Sequence, residues 1–336
     1  MRVLLLGSHI NYNLEHYVYM NLVKLGYEVK FYGYKEKLGR LTNTVRMTIT
    51  RSKLLRDMAS TFLLNKINDE IKKIAEQFHP DLMLSIKGEA VKPETVEYIK
   101  EVLRAKTALW YPDDPRFFKS LVRYIAPSYD HVFTASSRMI PMYKEMGCKD
   151  VHFLPFACEE TVHRRVALSN EDRRKYGADV VFVGTYTPRR AKIVKALEKA
   201  GIKVKVYGPY WKYFKFGDNI HDGIYGLEMV KAFNAAKIVL NVHIGSDLPY
   251  KVNMRTFEAT GSGVFLLTDY AYGLEKMFEI GKELVVYNGN EDLTELAKHY
   301  LGAEEERNQI SWMAQDRAYK EHTYFNRVGD LISKVT

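Results

Sequence analysis

Three turns in the later half of the chain collect residues suited to an anionic, hydroxyl-bearing ligand. In "VGTYTPRR" (183–190) Gly184 ends a strand, Thr185 follows, and Thr187 opens a helix with Arg189 and Arg190 in its first turn. Free N–H groups at a helix N-terminus attract anions. Two arginines placed there oppose the helix dipole, so either a bound phosphate offsets them or they turn to solvent. "VNMRTFEATGSG" (252–263) repeats the theme, with Asn253, Met254 and Arg255 at a second helix start and Glu258 further along. A carboxylate at that point can accept two hydrogen bonds from a vicinal diol, as an acidic residue does toward a nucleotide ribose. In "VKVYGPYW" (204–211), Tyr207 closes a strand and Gly208 begins a turn that either backs a base or ribose or belongs with Tyr210 and Trp211 in the core. His243, in "LNVHIGSD" (240–247), follows another strand and is placed to reach a phosphate or a sugar. The sequence contains neither GxGxxG nor GxxxxGK[ST], which leaves a dinucleotide fingerprint and a P-loop unsupported.

The earlier half offers "WYPDDPRF" (110–117), where Asp113 and Asp114 follow a strand beside Trp110. An acidic pair in such a loop can take a proton or hold a sugar, and Asp with Pro is equally ordinary turn chemistry. His9 in "GSHINYN" and Glu89 in "IKGEAVKPE" also follow strands and are further candidates for base or acceptor contact, and Trp110 is expected with Asp113 at the acceptor. Adjacent aspartates lack the spacing of a DxD metal motif, and no metal site is expected.

These residues need a scaffold of strands that all end on one side. At 336 residues the chain suggests two domains. Apolar strands alternate with helical patterns throughout: "RVLLLG", "YEVKFYG", "DLMLSIKG", "TALWYPDD", "HVFTAS" and "VHFLPFA" first, then "DVVFVG", "IKVKVYG", "AKIVLNVH", "GVFLLTD" and "ELVVYNG". That rhythm predicts an α/β fold of two Rossmann-like, doubly wound parallel sheets, with ligands outside the carboxyl ends of the strands. Helices are expected near 58–77, 93–104, 137–146, 227–235, 253–261, 272–279 and 291–302, and 159–178 reads as a polar connector. No apolar run approaches the ~20 residues of a membrane helix. The two cysteines allow no disulfide framework, which suits a cytoplasmic protein. The net charge of +9 is concentrated partly between Lys35 and Arg56, where seven Lys or Arg residues form either a solvated face or a surface for a membrane or a phosphate-bearing acceptor. Motifs for nucleic-acid binding are missing, so no nucleic acid is expected as a partner.

"DVVFVGTYTPRR", "VKVYGPYW", "AKIVLNVH", "VNMRTFEATGSGVFLLTD" and "HTYFNRV" occur in the order and spacing of the CgeB/YkvP-like glycosyltransferases, which the chain resembles over residues 179–330 and more loosely before them. The resemblance implies a GT-B fold: an acceptor domain over 1–160, a nucleotide-sugar domain over 161–315, and a helix over 316–336 crossing back to the first domain. It implies that Glu258 holds the donor ribose and that Asn253–Arg255 approach the diphosphate. Arg189 or Arg190 would serve the leaving phosphate. The first glutamate of the family's EX7E motif is replaced by Tyr250, so the sugar does not transfer with the resemblance. The implied activity moves a sugar from a nucleotide diphosphate, a UDP-sugar first, to a saccharide, lipid-linked or protein acceptor without a metal. The competing readings are a non-catalytic nucleotide- or glycan-binding protein of the same fold, a Rossmann-type oxidoreductase, and a basic membrane- or nucleic-acid-binding protein driven by residues 35–56. The expected location is cytoplasmic, with peripheral contact at the inner face of the membrane.

Overall fold

The computed structural model describes residues 1–34, 53–214, 219–245 and 250–336, without the side chains of 53–59. It divides into two compact units, Met1–Pro155 with Arg327–Thr336, and Phe156–Asn326. The first boundary thus falls earlier than residue 160, and the return to the first unit starts at Arg327 rather than at 316. The cause is local: Thr323 forms a bridge with Cys158 that keeps the chain before Arg327 in the second unit.

In the first unit, strands β1 (Arg2–Gly7), β2 (Glu28–Gly33), β3 (Leu82–Ile86), β4 (Lys106–Tyr111), β5 (His131–Thr134) and β6 (Asp150–Phe153) form one sheet in the order β2-β1-β3-β4-β5-β6. Every pairing is parallel. The central strands are covered on both faces, which is why "VLLL" and "ALWY" read as unbroken apolar runs. Helices α1 (Leu14–Lys24), α2 (Lys53–Phe78), α3 (Pro93–Glu101) and α4 (Ile140–Glu145) link the strands. Asn13 caps α1 by accepting from the His16 N–H at 2.9 Å. Ile67, Ile71, Val96 and Ile99 bring α2 and α3 into one core with Leu4, Met83 and Leu109. The terminal segment completes this unit: Lys106 Nζ donates to the Val335 carbonyl at 2.7 Å, and Arg327 Nε to the Pro155 carbonyl at 3.2 Å.

In the second unit, β7 (Ala178–Val183), β8 (Val204–Tyr207), β9 (Ile220–His221), β10 (Ala236–Asn241), β11 (Leu266–Asp269) and β12 (Val285–Tyr287) form a second sheet ordered β12-β11-β10-β7-β8-β9. It too is parallel throughout. The chain winds outward from β7 in one direction to β9, then restarts beside β7 at β10 and winds the other way. Strand order therefore reverses between β7 and β10, which is where doubly wound sheets bind their ligands.

The connector expected over 159–178 contains a helix, α5 (Asn170–Tyr176), started by a capping box between Ser169 and Asp172. Helices α6 (Pro188–Lys199), α7 (Gly226–Ala235), α8 (Met254–Gly261) and α9 (Gly289–Gly302) follow the expected pattern. The helix expected over 272–279 shrinks to a 3-10 turn at Leu274–Lys276, bounded by Gly273 and Gly281 at φ of +87° and +88°. Two further helices, α10 (Glu304–Glu321) and α11 (Tyr324–Val335), close the chain. Among the described residues no helix is long and apolar enough to cross a membrane. Residues 35–52, most of the basic stretch singled out in the sequence, lie outside the described residues, as do the side chains of 53–56.

Candidate active site

The carboxyl ends of β7, β8 and β10 are tied together. Gly184 donates its N–H to the Tyr207 carbonyl at 2.8 Å, and its own carbonyl accepts from the Trp211 indole at 2.8 Å. Gly208 lies so close that an added Cβ would sit 2.0 Å from the Gly184 oxygen, so only glycine fits. Thr187 caps α6, its hydroxyl accepting from the Arg190 N–H at 3.2 Å, with Pro188 in the first turn. Arg190 then turns inward. Its guanidinium donates to the Val242 carbonyl at 3.1 and 2.6 Å and to the Thr185 carbonyl at 2.9 Å, which joins the loops after β7 and β10. Burial, helped by the nearby Arg255, pushes its pKa down to about 10. Arg190 is thus not a solvent-facing residue: its guanidinium is a buried strut between the two loops. Thr185 contributes that accepting carbonyl, and Tyr207 is a buried ring stacked on His221 at 5.0 Å.

Arg189 remains the accessible cation of the pair, with 31% of its side chain exposed. It donates to the His243 carbonyl at 3.0 Å and pairs with Asp269 at 2.7 Å. Asp269, the last residue of β11, also accepts from the His243 N–H at 2.9 Å and from its Nδ1 at 2.7 Å. A ring that donates from Nδ1 presents a basic lone pair at Nε2. That Nε2 is buried and makes no hydrogen bond among the described residues. Burial alone would raise the Asp269 carboxyl, yet the bonds from His243 and Arg189 hold it below the ordinary carboxylate range. Beside this cluster a cavity of about 300 Å³ is bordered by Arg189, Lys192, Asp269, Tyr287 and the first residues of α9. Asp269 was not among the residues the sequence singled out. The only trace of it was an acidic residue closing the apolar run "VFLLTD".

Helix α8 begins as expected. Asn253 caps it, accepting from the Thr256 N–H at 3.1 Å, and its amide donates to Asn241 at 2.9 Å, which pins the helix start to the end of β10. Met254 is its first residue, half-buried. Arg255 Nε donates to the carbonyl of Val183, the last residue of β7, at 3.2 Å, and the guanidinium pairs with Glu258. Glu258 is 5% exposed, and its burial raises the carboxyl while Arg255 opposes the rise. On its other side lies His163, a residue the sequence reading passed over. His163 Nδ1 accepts from the Glu159 N–H at 2.9 Å, so its proton sits on Nε2, 3.7 Å from Glu258 Oε1. Burial, with Arg255 nearby, lowers the His163 pKa to about 3, so the ring is neutral.

The first-unit candidates divide in two. Asp113 is partly exposed and pairs with Lys87 at 2.7 Å, so the ends of β4 and β3 meet there. Asp114 is buried and accepts from the Thr134 and Tyr143 hydroxyls, which leaves its carboxylate inside the unit as an anchor for the turn. Trp110, expected at the acceptor, is wholly buried, with its indole N–H on the Leu154 carbonyl at 3.1 Å. It offers no surface to a ligand and belongs to the core. Glu89 is half-buried, and His9 is exposed with its ring 4.8 Å from that of Phe31.

Residues 189–333 match the family model described as glycosyl transferase-like. No curated protein matches the chain in sequence. Solved structures do match in fold. A glycosyltransferase from Rickettsia africae superposes with a TM-score of 0.68 at 11% identity, over 99% of this chain and 97% of that one. Anabaena HepE, determined in complex with UDP-glucose, gives 0.66 at 12% identity over 99% of each chain. Sucrose-phosphate synthase from Thermosynechococcus elongatus gives 0.65 at 11% identity, over 99% and 97%. The two parallel six-stranded sheets thus make a GT-B fold, and the chain carries on it, over residues 189–333, a glycosyl transferase-like sequence.

Proposed function

We propose that the protein transfers a sugar from a nucleotide diphosphate, a UDP-sugar first, to a saccharide, lipid-linked or protein acceptor, in the manner of the CgeB/YkvP-like enzymes. The observation that carries this reading is the cluster of Arg189, His243 and Asp269 beside the strand-order reversal of the second sheet. Glycosyl transfer builds negative charge on the departing diphosphate. Fixed cations and helix N-termini stabilise that charge more in the transition state than in the ground state. Arg189 and the starts of α6 and α8 supply them in this reading, with no metal required. His243, its ring fixed by Asp269, presents Nε2 to the phosphate or sugar. Glu258 holds the ribose hydroxyls, exchanging its bond to Arg255 for them and freeing that guanidinium for the diphosphate.

On the acceptor side, Asp113 is the better candidate of the two aspartates, because Asp114 already holds two hydroxyls. Glu89 and His9 complete the acceptor set. A cytoplasmic location, with residues 35–56 touching the inner face of the membrane, accompanies this reading.

The test is calorimetric titration of UDP-, GDP- and dTDP-sugars into the parent protein and the Arg189→Ala and Glu258→Gln variants. Binding of a UDP-sugar, weakened at least tenfold in each variant, is the expected result. Equal affinity in all three proteins removes the donor assignment. UDP release in the presence of an acceptor separates transfer from binding alone.

A further inference from the structure

We propose that His131, Asp150 and His152 form a binding site for a divalent transition-metal ion, Zn2+ first, at the starting ends of β5 and β6 in the first unit. This site is independent of the proposed glycosyl transfer. His131 opens β5 and Asp150 opens β6, and the two residues face each other directly in the parallel register. His152 lies two residues beyond Asp150, so the strand's alternation puts its side chain on the same face. His131 Nδ1 lies 2.6 Å and His152 Nε2 lies 2.7 Å from one and the same oxygen, Asp150 Oδ2. All three ligand atoms fall within 4.8 Å of one another.

Two imidazoles converging on one carboxylate oxygen is an arrangement with nitrogen and oxygen donors already gathered. A tetrahedral ion with ligands at about 2.0–2.1 Å holds its donors roughly 3.3 Å apart, so modest side-chain rotation opens the cluster to its coordination distances. Each imidazole would ligate through the nitrogen now facing Asp150, its proton moving to the other ring nitrogen. Two neutral rings and one carboxylate leave the bound ion with a net charge of +1. The donor set suits Zn2+ and the metals near it in the affinity series, and does not suit Mg2+ or Ca2+, which take oxygen ligands. His131, Asp150 and His152 side chains are 17%, 42% and 24% exposed, so water can reach the fourth position through the Asp150 side. The His152 ring is backed by Phe133 at 5.3 Å, which limits its freedom to turn away.

Because β6 is an edge strand, an ion bound here clips it to β5. The sites expected from the sequence lie at the opposite, carboxyl ends of the strands. The sequence reading expected no metal site: Asp150 and His152 stand close in the chain, but the third ligand lies on a different strand.

The test compares thermal unfolding of the parent chain with that of His131→Ala and His152→Gln, each dialysed against chelator and then titrated with Zn2+ or Mg2+. The parent is expected to gain roughly 5–10 °C at a Zn2+ concentration a hundredfold above its dissociation constant. Mg2+ should give no gain, and neither variant should respond to Zn2+. Far-ultraviolet circular dichroism checks that both variants fold. Visible absorption of added Co2+, tetrahedral in the parent and lost in the variants, gives a second readout. A Zn2+ response absent in the parent, or the same in the folded variants, overturns the proposal.

Discussion

At the scale of single residues, the second unit holds two carboxylates in different states. Asp269 accepts from three donors and is held ionised, whereas the carboxyl of Glu258, set between Arg255 and the neutral ring of His163, is raised by burial. The first stabilises a histidine orientation, and the second changes partners in the proposed reaction. His243→Ala should lower the rate of sugar transfer by roughly 10²–10⁴-fold, with UDP-sugar affinity changed less than tenfold. Asp269→Asn should reproduce much of that loss, because it keeps the shape but weakens the hold on the ring. Steady-state UDP release and calorimetry check both variants, and a full transfer rate in His243→Ala would assign the ring to structure. None of this coupling was visible in the sequence, since Asp269 and His243 stand 26 positions apart. The inward turn of Arg190 was hidden for a related reason. A guanidinium at a helix start looks free for a phosphate until the carbonyls of Thr185 and Val242 are seen beside it.

At the scale of elements, the site depends on how tightly two strand ends approach. Gly208 makes no unusual backbone angle; space alone forbids a side chain there. Gly208→Ala should destabilise the second unit by about 2–3 kcal/mol, because the obstacle is a backbone carbonyl that cannot rotate away. Chemical denaturation measures the loss, and an unchanged midpoint would mean that the loops part easily. Most strands and helices were legible, because burial on both faces writes continuous apolar runs and helix starts write their own caps. Thr187-Pro188 and Asn253 are the clearest cases. Helix α5 was hidden inside charged residues, where only the Ser169–Asp172 capping box marks it. Trp110 was expected at the acceptor beside the aspartate loop, while the strand that carries it is central and its ring fully covered.

At the scale of the whole molecule, buried ionisable groups set the response to acid. His163 stays neutral in the fold down to about pH 3, whereas its ordinary pKa is 6.5. The unfolded chain therefore binds a proton on this residue first. The stability it confers is complete above pH 6.5 and declines as pH falls toward 3, by about 1.4 kcal/mol per unit for this one group. His163→Asn, which can still accept from the Glu159 N–H, should flatten the stability profile relative to the parent between these limits. Denaturation midpoints across that range decide the matter, and parallel profiles would contradict it. The two-domain α/β architecture was readable from length and rhythm, while the exchange of chain between the units followed only from the family resemblance, which started it at 316 instead of Arg327.

That exchange has a consequence for how the molecule is made. Residues 327–336 belong to the first unit but follow the whole of the second in the chain. During synthesis the later unit has all its residues outside the ribosome before the earlier one does. Until residues 327–336 emerge, the earlier unit lacks the partners of the Lys106 ammonium and of the Pro155 carbonyl.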